Sequence, residues 1–329
     1  MIIVTWNRRS FLHACLASLT RQTGPEFETI VVDNGSQDGS AEMAESEFSA
    51  RVIRNSSNRG FCAANNQGIA AARGEFIALL NNDAEAEPGW LAALYRACSR
   101  SPKFGMAASK ILVWEDPRRI DKAGHLIYPD GQNKGRGSGA LDTGQFDREE
   151  EVLWPDGCAA MYRKEMLDCI GGFDEDFFAY GDDAELGLRA RIAGWQCIYT
   201  PDAVVRHHRG ATLGKDSAWR LELIERNRLL LALKLFPWSL LWLNPFYFAV
   251  RLLAGFAAAW RGSGDTAHYP GLRGKWTMAM ALMKGDWGAL RLLPRMLRKR
   301  AQLRGIRRLS PGEVRRLILS HRLTLRETT

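Results

Sequence analysis

The chain has 329 residues, of which 46% are hydrophobic and 25% are charged, and it carries a formal net charge of +8. This length can bury one large core, or one domain with a helical extension. The six cysteines are scattered without a CxxC pair, which argues against a zinc ribbon or a disulfide framework and favours a reducing compartment.

The two ends of the sequence differ in character. Met1 leads directly into the strand-like segment IIVTW, so no secretory signal peptide is visible, and the shortness of this strand predicts a slightly truncated N-terminus. Residues 291–329 contain 12 lysine and arginine residues against two acidic ones. We therefore expect an anionic partner to meet this basic tail first.

The first third of the chain alternates strand-like and helical patterns. This alternation predicts parallel strands with helices on both faces, in an α/β fold. Ligands of such sheets bind beyond the carboxyl ends of the strands, so the segments TWN, DNGSQDGS and NND should converge on one crevice. The predicted strands are IIVT, FETIVVD, RVIRN and EFIALLNND, and the predicted helices cover about residues 10–21, 41–48, 60–73 and 88–99.

Beyond residue 110 the composition changes twice. Residues 111–215 have more glycine and more turns, and the glycine-rich segment 131–145 is predicted to be a mobile flap or linker. From about residue 217 onward the sequence is helical and rich in leucine, tryptophan and arginine.

The most apolar stretch is residues 238–260. It approaches the roughly 20 apolar residues of a membrane span, but Asn244, Pro245 and Arg251 interrupt it. An amphipathic segment that lies in the membrane interface is therefore favoured over a span. An ordinary helical subdomain packed on the core is the alternative.

A turn rich in Asp, Asn, Gly and Ser follows the second strand. Asp33, at the end of that strand, can accept hydrogen bonds from a base edge or a ribose hydroxyl. A turn or helix cap is the alternative role, which Asp38 with Ser40 supplies more readily. Neither a GxGxxG fingerprint nor a Walker P-loop is present, which argues against a nicotinamide enzyme.

The fourth strand ends in Asn81, Asn82 and Asp83, after a helix that carries polar amides at 65–67 among small residues. Glycine and alanine in that helix allow a ligand or another backbone to approach closely. The carboxylate of Asp83 either caps a turn or holds a metal ion over a pocket. One carboxylate together with diphosphate oxygens and water is a common way to hold Mg²⁺ or Mn²⁺.

The segments VTWN, VVDNGSQDGS, NRGFCAANNQGI and LLNNDAEAEPGWL, in this order and spacing, resemble glycosyltransferase family 2, and within it the rhamnosyltransferase-like branch. The similarity extends from residue 2 to about residue 235. It implies a GT-A-type α/β domain at 1–215 that binds a nucleotide sugar on a mostly parallel sheet, and a helical, amphipathic extension at 216–329. It also implies an inverting, metal-dependent transfer of a sugar such as rhamnose from a dTDP-, UDP- or GDP-linked donor to a lipid-linked or cell-envelope glycan.

The resemblance also implies roles for particular residues. The metal-ligating position of the family's DxD motif falls on Asp83, with Asn81 in place of the first aspartate. A histidine at the end of a later strand completes the metal site in related members, and by spacing this is His207, with His208 as the rival. With one carboxylate, the affinity for Mg²⁺ or Mn²⁺ would depend on the phosphates of the substrate. The implied nucleotide-binding residues are Thr5, Asn7, Asp33, Asn34, Gly60, Asn66, Asn81 and Asn82.

The segment GGFDEDFFAYGDDAELGLRARIAGW resembles the family's general-base motif. Matched residue by residue, Asp183 is the base that takes the proton of the acceptor hydroxyl. Asp182 replaces a glutamate, which leaves its role open, and the helix dipole alone would also favour acids here. The segment WPDGCAAMYRKEML resembles the family's strand that lines the donor and acceptor pocket, which implies Asp156 and Gly157 as pocket residues, with a simple turn as the alternative.

The resemblance and the basic tail together predict a cytoplasmic enzyme that lies peripherally on the inner face of the cell membrane, on anionic lipid, with no nucleic-acid partner. The alternative is a non-catalytic adaptor that binds nucleic acid or membrane through the tail. Single-strand binders interleave basic and aromatic side chains on the binding face. The aromatic residues here cluster instead in residues 238–260.

Overall fold

The computed structural model describes residues 1–208, 217–260 and 271–328. The chain forms two compact units, Met1–His125 with Gly135–Ala211, and Leu126–Lys134 with Thr212–Thr329. The predicted boundary at residue 215 stays a prediction. The grouping of residues 126–134 with the C-terminal helices has no local signal in the sequence.

In the described part of the chain, ten strands form one mixed sheet and two more form a small separate pair. The strands are β1 Ile2–Thr5, β2 Ile30–Asp33, β3 Arg51–Arg54, β4 Phe76–Leu80, β5 Ala84–Ala86, β6 Phe104–Val113, β7 Ile120–Lys122, β8 His125–Ile127, β9 Asn133–Gly135, β10 Glu150–Val152, β11 Ala159–Arg163 and β12 Gln196–His207. The order in the sheet is β10-β12-β6-β11-β4-β1-β2-β3, with β5 paired to β12 and β7 paired to β6.

The sheet is mostly parallel, as the alternating pattern predicts. Strands β4, β1, β2 and β3 pair in parallel, and so do β6 and β12. Strand β11 lies between β4 and β6 and is antiparallel to both. Its insertion brings the segment just before β11 to the carboxyl end of β4.

Helices of the first unit agree with the sequence pattern. The four helices predicted in residues 1–110 are present, with ends within two residues of the expected positions, which is the usual uncertainty of helix boundaries. The helices of this unit are α1 Arg9–Leu19, α2 Ser40–Phe48, α3 Gly60–Ala71, α4 Trp90–Ser99, α5 Lys164–Ile170 and α6 Asp182–Ile192.

Continuous apolar runs form the central strands because both faces of the sheet are covered. Ile2, Ile3, Val31 and Val32 are all at most 1% exposed, so consecutive side chains are buried although they point to opposite faces. The polar residues that follow these strands are therefore left at the edge of a rigid, fully packed sheet.

The glycine-rich segment 131–145 is more structured than its composition predicts. It contains strand β9, and Arg136 donates from Nε to the carbonyl of Ala123 and from Nη1 to Glu150. The same guanidinium lies over the rings of Phe146 and Tyr199. The contacts of Arg136 order this segment, and the glycine content of the sequence does not reveal them.

The second unit is helical, and a buried ionic network runs through it. Arg251 donates from Nε to Asp130, at 2.6 Å, and contacts Glu225 at 3.2 Å. Arg228 also contacts Glu225, and Asn244 donates to the carbonyl of Asp130. Asn244 and Arg251, the polar residues that interrupt the apolar stretch, are thus members of this network. The helices are α7 Ala218–Leu235, α8 Trp238–Leu241, α9 Asn244–Trp260, α10 Gly271–Arg291, α11 Leu293–Gln302, α12 Pro311–Ser320 and α13 Leu325–Thr328.

Helix α9 turns its apolar face outward. Phe246, Leu253 and Phe256 recur at helical spacing and are more than 60% exposed, whereas Arg251 faces the ionic network. An ordinary surface helix has the opposite arrangement. Among the described residues, no helix has both the length and the hydropathy that crossing a bilayer requires.

Candidate functional site

The polar residues that follow β1, β2 and β4 meet at one edge of the sheet, as the topology predicts. Asn82 donates to the hydroxyl of Thr5 at 3.0 Å, and the backbone N–H of Asn34 donates to the carbonyl of Thr5 at 2.8 Å. The carboxylate of Asp33 accepts the backbone N–H of Ser36. All of these side chains except that of Ser36 are buried.

Asn7 ties the loop after β1 to the turn after β2. Its backbone N–H donates to the hydroxyl of Ser36 at 2.7 Å, and its side-chain oxygen accepts the N–H of Gln37 at 3.0 Å. Asn7 adopts a left-handed backbone conformation, with φ of 57°, which asparagine tolerates better than most residues. Two hydrogen bonds of Asn7, with Ser36 and Gln37, therefore hold the turn that follows Asp33.

Helix α3 begins beside the same strand ends. Gly60 begins it with φ of +85°, and a Cβ atom there would lie 2.5 Å from the ring of Phe178. Asn34 donates to the carbonyl of Gly60, so these two predicted nucleotide-binding residues contact each other. Asn66 instead pairs with the backbone of Phe173 in both directions, and its amide holds the loop before α6.

Asp83 lies beyond the end of β4 and faces the last residue of β12. Its Oδ1 atom is buried without a hydrogen-bond partner and is 3.5 Å from Nε2 of His207. Two ligands of one octahedral cation with bonds of about 2.1 Å lie about 3 Å apart. A buried, unpaired carboxylate oxygen that faces an imidazole nitrogen at this distance fits a divalent cation between them.

The other side of the His207 ring is fixed by a second carboxylate. Its Nδ1 atom is 2.7 Å from Oδ2 of Asp121, which is fully buried in β7. Burial opposes the charged imidazolium, but Cys158, and after it the carboxylates of Asp121 and Asp83, favour it, and the pKa of His207 is raised well above its usual value. Burial raises the pKa of the nearby Cys158 thiol, whereas His207 lowers it.

The rival, His208, has a different environment. Its ring lies 4.3 Å from the ring of Trp114 and 4.9 Å from that of Phe11, between centroids. Its backbone N–H donates to the carbonyl of Asp83. Of the two histidines, His207 is therefore the one whose ring nitrogen faces the Asp83 carboxylate.

Asp183 lies in the first turn of α6, against the segment that precedes β11. Its Oδ1 atom accepts the N–H of Ala184 at 2.8 Å, and its Oδ2 atom lies 3.4 Å from the N–H of Gly157. Burial raises the pKa of Asp183, the charge of Asp156 raises it further, and His125 and Lys122 lower it. A partly buried carboxylate with a raised pKa suits a general base.

Sequence reasoning predicted Asp156 and Asp183 as site residues but missed Lys122 and His125, which form a cluster with them. Nε2 of His125 is 2.8 Å from Oδ2 of Asp156 and 3.5 Å from Oδ2 of Asp183, and Nζ of Lys122 is 2.6 Å from the same Asp156 oxygen. His125, Asp156 and Asp183 could together offer three ligands to a metal ion. The signal was the dense run IDKAGH, which holds Asp121, Lys122 and His125 within six residues.

The neighbouring acids of α6 have different surroundings. Asp182 is buried, and its pKa is raised well above the usual value by burial and by the adjacent Asp183. Glu185 forms a buried ion pair with Arg189, whose guanidinium also donates to the carbonyls of residues 170–172. Glu185 is thus part of the packing of α6.

The two parts of the site adjoin each other where β4 ends and β11 begins. The N–H of Asn81 donates to the carbonyl of Cys158 at 2.8 Å, while Gly157, the residue before it, contacts Asp183. On β7, Asp121 contacts His207 and the next residue, Lys122, contacts Asp156. The Asp83 pair and the cluster at Asp183 are therefore both connected to β7, through the consecutive residues Asp121 and Lys122.

Comparison with family models gives two matches. A model described as "Glycosyl transferase family 2" matches residues 1–171, and one described as "Glycosyl transferase family group 2" matches residues 143–283. Together they include every residue of the site.

Individual relatives are similar over most of the chain. An "N-acetylglucosaminyl-diphospho-decaprenol L-rhamnosyltransferase" of Mycobacterium tuberculosis is 28% identical over 243 residues, which are 67% of this chain and 79% of the relative. "Glycosyltransferase AglE" of Haloferax volcanii is 35% identical over 220 residues, 63% of this chain and 66% of the relative.

Solved structures with the same fold are more distant in sequence. GalNAc-T7, solved with UDP, GalNAc and Mn²⁺, is 16% identical with a TM-score of 0.58, covering 73% of this chain and 48% of that one. The mannosyltransferase PcManGT of Pyrobaculum calidifontis, solved with GDP-Man and Mn²⁺, is 18% identical with a TM-score of 0.53, covering 88% and 86%. At these identities the likeness concerns the fold, which confirms the predicted GT-A type.

Proposed function

Because this chain belongs to glycosyl transferase family 2, we propose that it is an inverting, metal-dependent enzyme that transfers a sugar from a nucleoside diphosphate to a hydroxyl of a lipid-linked glycan. The observation that carries the proposal is the pair of acidic centres where β4 ends and β11 begins. Asp83 faces His207 on one side, and the partly buried carboxylate of Asp183 lies on the other.

Asp83 and His207 are the residues of this chain that would hold the cation. The unpaired Oδ1 atom of Asp83 supports this assignment, since a buried carboxylate oxygen without a partner is costly unless something compensates it. When bound, Mg²⁺ or Mn²⁺ neutralises the negative charge that develops on a diphosphate leaving group. The cluster around His125 is a weaker candidate, because the ammonium of Lys122 already contacts its central carboxylate.

Asp183 would act on the acceptor. Its carboxylate takes the proton of the attacking hydroxyl, and a single in-line displacement then inverts the configuration at the anomeric carbon. Gly157 lies beside this carboxylate, with its backbone N–H 3.4 Å from Oδ2 of Asp183.

The crevice after β1 and β2 would bind the nucleotide. Asp33 would accept hydrogen bonds from the base or the ribose, and Asn7 keeps its turn in place. The rest of the proposed nucleotide-binding set consists of Thr5, Asn34, Gly60, Asn66, Asn81 and Asn82. Of these, Asn66 has the least support because its amide is already paired with Phe173.

The name of the mycobacterial relative suggests the substrates. That protein is named for transfer of L-rhamnose to N-acetylglucosaminyl-diphospho-decaprenol. We extend to this chain a deoxyhexose donor of the dTDP-, UDP- or GDP-linked kind and a polyprenyl-diphosphate-linked acceptor.

The test uses Asp183→Asn in the full chain. Transfer, followed as release of nucleoside diphosphate from a panel of nucleotide sugars with a polyprenyl-diphosphate acceptor and Mn²⁺, should fall by about 10²- to 10⁴-fold. Binding of the nucleoside diphosphate should remain nearly unchanged by calorimetry. Asp168→Asn, on the exposed side of α5, is the matched control. Activity of Asp183→Asn close to that of the control would refute the assignment.

A second variant tests the cation. Asp83→Ala should weaken the Mn²⁺-dependent binding of nucleoside diphosphate and remove the thermal stabilisation that the two ligands confer together. Asp116→Ala, in a loop with Arg118 as partner, is the control for loss of a carboxylate. Equal calorimetric affinity of Asp83→Ala and the native chain would exclude Asp83 as a ligand.

We further propose that the second unit rests on an anionic membrane from the cytoplasmic side. The apolar outer face of α9 is joined in this unit by exposed Trp242, Trp276 and Trp287. Residues 291–329 supply the positive charge that anionic lipid attracts. Exposed apolar side chains and basic residues in one unit are what interfacial binding requires.

Flotation with phosphatidylcholine vesicles, with and without phosphatidylglycerol, tests this surface. The double variant Leu253→Glu with Phe256→Glu should lose most of the binding to anionic vesicles, whereas Leu141→Glu, an exposed leucine of the first unit, should not. Undiminished binding of the double variant would contradict the proposal. Salt-sensitive binding of single-stranded DNA by the native chain would favour the nucleic-acid adaptor instead.

A further inference from the structure

Three residues beside the proposed base take no direct part in the proposed chemistry. Lys122, Asp156 and His125 form a connected series, with Nζ of Lys122 and Nε2 of His125 both on Oδ2 of Asp156. Nε2 of His125 also lies 3.5 Å from Oδ2 of Asp183. Because both neighbours of this nitrogen are carboxylate oxygens, Nε2 carries the hydrogen and donates it.

We infer that Lys122, Asp156 and His125 are positioning residues that hold one Nε2–H donor beside Asp183 and keep its carboxylate ionised for the acceptor hydroxyl. This inference rests on the proposed role of Asp183 as the base. Asp156 orients the imidazole, and Lys122 offsets part of the charge of Asp156, which would otherwise raise the pKa of the base further. His125 is then the residue that contacts Asp183 directly.

The packing around His125 leaves its ring little freedom. The ring is stacked on that of the fully buried Trp154, with centroids 6.0 Å apart and planes at 25°. Its Nδ1 atom is buried without a hydrogen-bond partner in the described part of the chain. All of the polar contacts found for this imidazole are therefore made by Nε2, toward the two aspartates.

Lys122 is guided to Asp156 by a glycine. A Cβ atom at Gly135 would lie 2.3 Å from Cγ of Lys122 and 3.0 Å from its Cβ, so the stem of the lysine passes directly over this glycine. The clash involves the rigid start of the side chain, not its flexible end. Gly135→Ala should therefore displace the ammonium without removing its charge.

The charges that face Asp183 agree with this arrangement. Burial and Asp156 raise its pKa, while His125 and Lys122 lower it. Among the described residues, Asp183 also faces Asp182, the preceding residue of α6, and Tyr162 of β11, whose pKa burial and Asp183 raise. Loss of His125 or of Lys122 removes a favourable partner of the carboxylate and leaves the unfavourable ones in place.

The same three ligand atoms could in principle hold a cation, and the position of Lys122 argues against that use. Its ammonium lies 2.6 Å from Oδ2 of Asp156, the atom that would be shared with a metal. Two positive charges on one carboxylate oxygen repel each other, so the cluster already contains its own cation.

The experiment titrates Asp183 in the full chain by carboxyl ¹³C NMR of labelled aspartate, with Asp183→Asn to assign the signal. The midpoint should rise in His125→Gln and in Lys122→Met, and the ratio of kcat/KM at pH 8 to that at pH 6 should increase in both. Gly135→Ala should act in the same direction. Lys122→Arg keeps the positive charge and should therefore leave the Asp183 midpoint at its native value.

The matched control is Lys110→Met, which removes a partly buried lysine paired with Asp142 and Asp147, and it should leave the Asp183 midpoint unchanged. An unchanged midpoint in both His125→Gln and Lys122→Met would overturn the inference. So would binding of Mn²⁺ alone that survives Asp83→Ala and is lost on adding His125→Gln, since the cluster would then be a cation site.

The two proposals fail separately. Full activity of Asp183→Asn would show that Asp183 is not the base, whatever the titration shows. An inactive Asp183→Asn together with a native titration of His125→Gln would leave the proposed function intact and reject only the positioning role.

Discussion

Asp121 binds the Nδ1 side of His207, at 2.7 Å, and so leaves the Nε2 side of the ring toward Asp83. A carboxylate behind a histidine ligand fixes the orientation of the ring and increases its basicity. Asp121→Asn should therefore lower the affinity for Mn²⁺ in the presence of nucleoside diphosphate by about 10- to 100-fold. Calorimetric titration of the full chain measures the effect.

The control for this prediction is Asp116→Asn, which makes the same chemical change at a loop aspartate paired with Arg118. The structure of the variant should be checked by circular dichroism, because Asp121 is fully buried. If Asp121→Asn folds and binds Mn²⁺ as tightly as the control does, the histidine does not depend on this carboxylate, and His207 loses its support as a ligand.

Asp182 should make stability depend on pH. Its pKa is raised in the folded chain by burial and by Asp183, while the unfolded chain titrates near the ordinary value of 3.8. As pH rises above about 4, the unfolded state releases a proton that the folded state retains, so this residue destabilises the fold increasingly until its folded pKa is passed. Asp182→Asn removes the effect and should increase the free energy of unfolding more at pH 8 than at pH 5.

Urea unfolding at the two pH values checks this prediction, with Asp168→Asn as the control on an exposed helix surface. The sign is opposite to that expected for a salt-bridged aspartate, whose removal lowers stability at neutral pH. A variant that is less stable than the native chain at pH 8, and not at pH 5, would mean that Asp182 is ionised and paired in the folded protein.

Substitution of Asn66 distinguishes a structural role of this residue from a role in nucleotide binding. Its amide donates to the carbonyl of Phe173 at 2.9 Å and accepts the N–H of the same residue at 2.8 Å, 107 positions along the chain. Asn66→Ala should lower the free energy of unfolding by about 1–3 kcal/mol, since two backbone groups lose their partner. The affinity for nucleoside diphosphate, measured on the folded variant, should change little.

Gln67 is the matched comparison for Asn66, because its amide pairs with that of Asn55 on the neighbouring strand end. A large loss of nucleotide affinity in Asn66→Ala, at a temperature where the variant is fully folded, would restore the role that the family resemblance implies. Loss of affinity only in Gln67→Ala would place the nucleotide contact one residue further along α3.

The strand ends could be predicted from sequence because the signals are local. Continuous apolar runs such as those around Ile3 and Val31 define buried parallel strands, and the residues after each run lie at one edge of the sheet. Local patterns therefore indicate Thr5, Asp33 and Asp83 as neighbours. Their roles in binding remain predictions, because the pattern gives only their position.

The rest of the site depends on contacts between distant segments. Lys122 and His125 belong to strands of three residues, too short for any periodicity to appear. Their partner Asp156 is about 30 residues away, and Asp121 pairs with His207 at a separation of 86. Strand β11, whose antiparallel insertion creates these contacts, gives no signal of its direction in the sequence.

Arg251 should be the residue on which the second unit depends most. It pairs with Asp130, which is fully buried, and with Glu225, which is 1% exposed. Arg251→Met leaves the charge of Asp130 without its nearest partner and should lower the free energy of unfolding by about 3–5 kcal/mol. Urea unfolding followed by circular dichroism measures this loss.

The double variant Arg251→Met with Asp130→Asn should recover part of the stability lost in the single variant, because the uncompensated charge is removed along with its partner. A comparison of Arg251→Met with Leu253→Glu distinguishes the inner and outer faces of α9. Leu253→Glu, on the exposed face, should leave the free energy of unfolding nearly unchanged while it weakens binding to anionic vesicles. Equal destabilisation by changes on both faces would mean that the outer face is covered by protein, and the membrane surface proposed for this helix would be withdrawn.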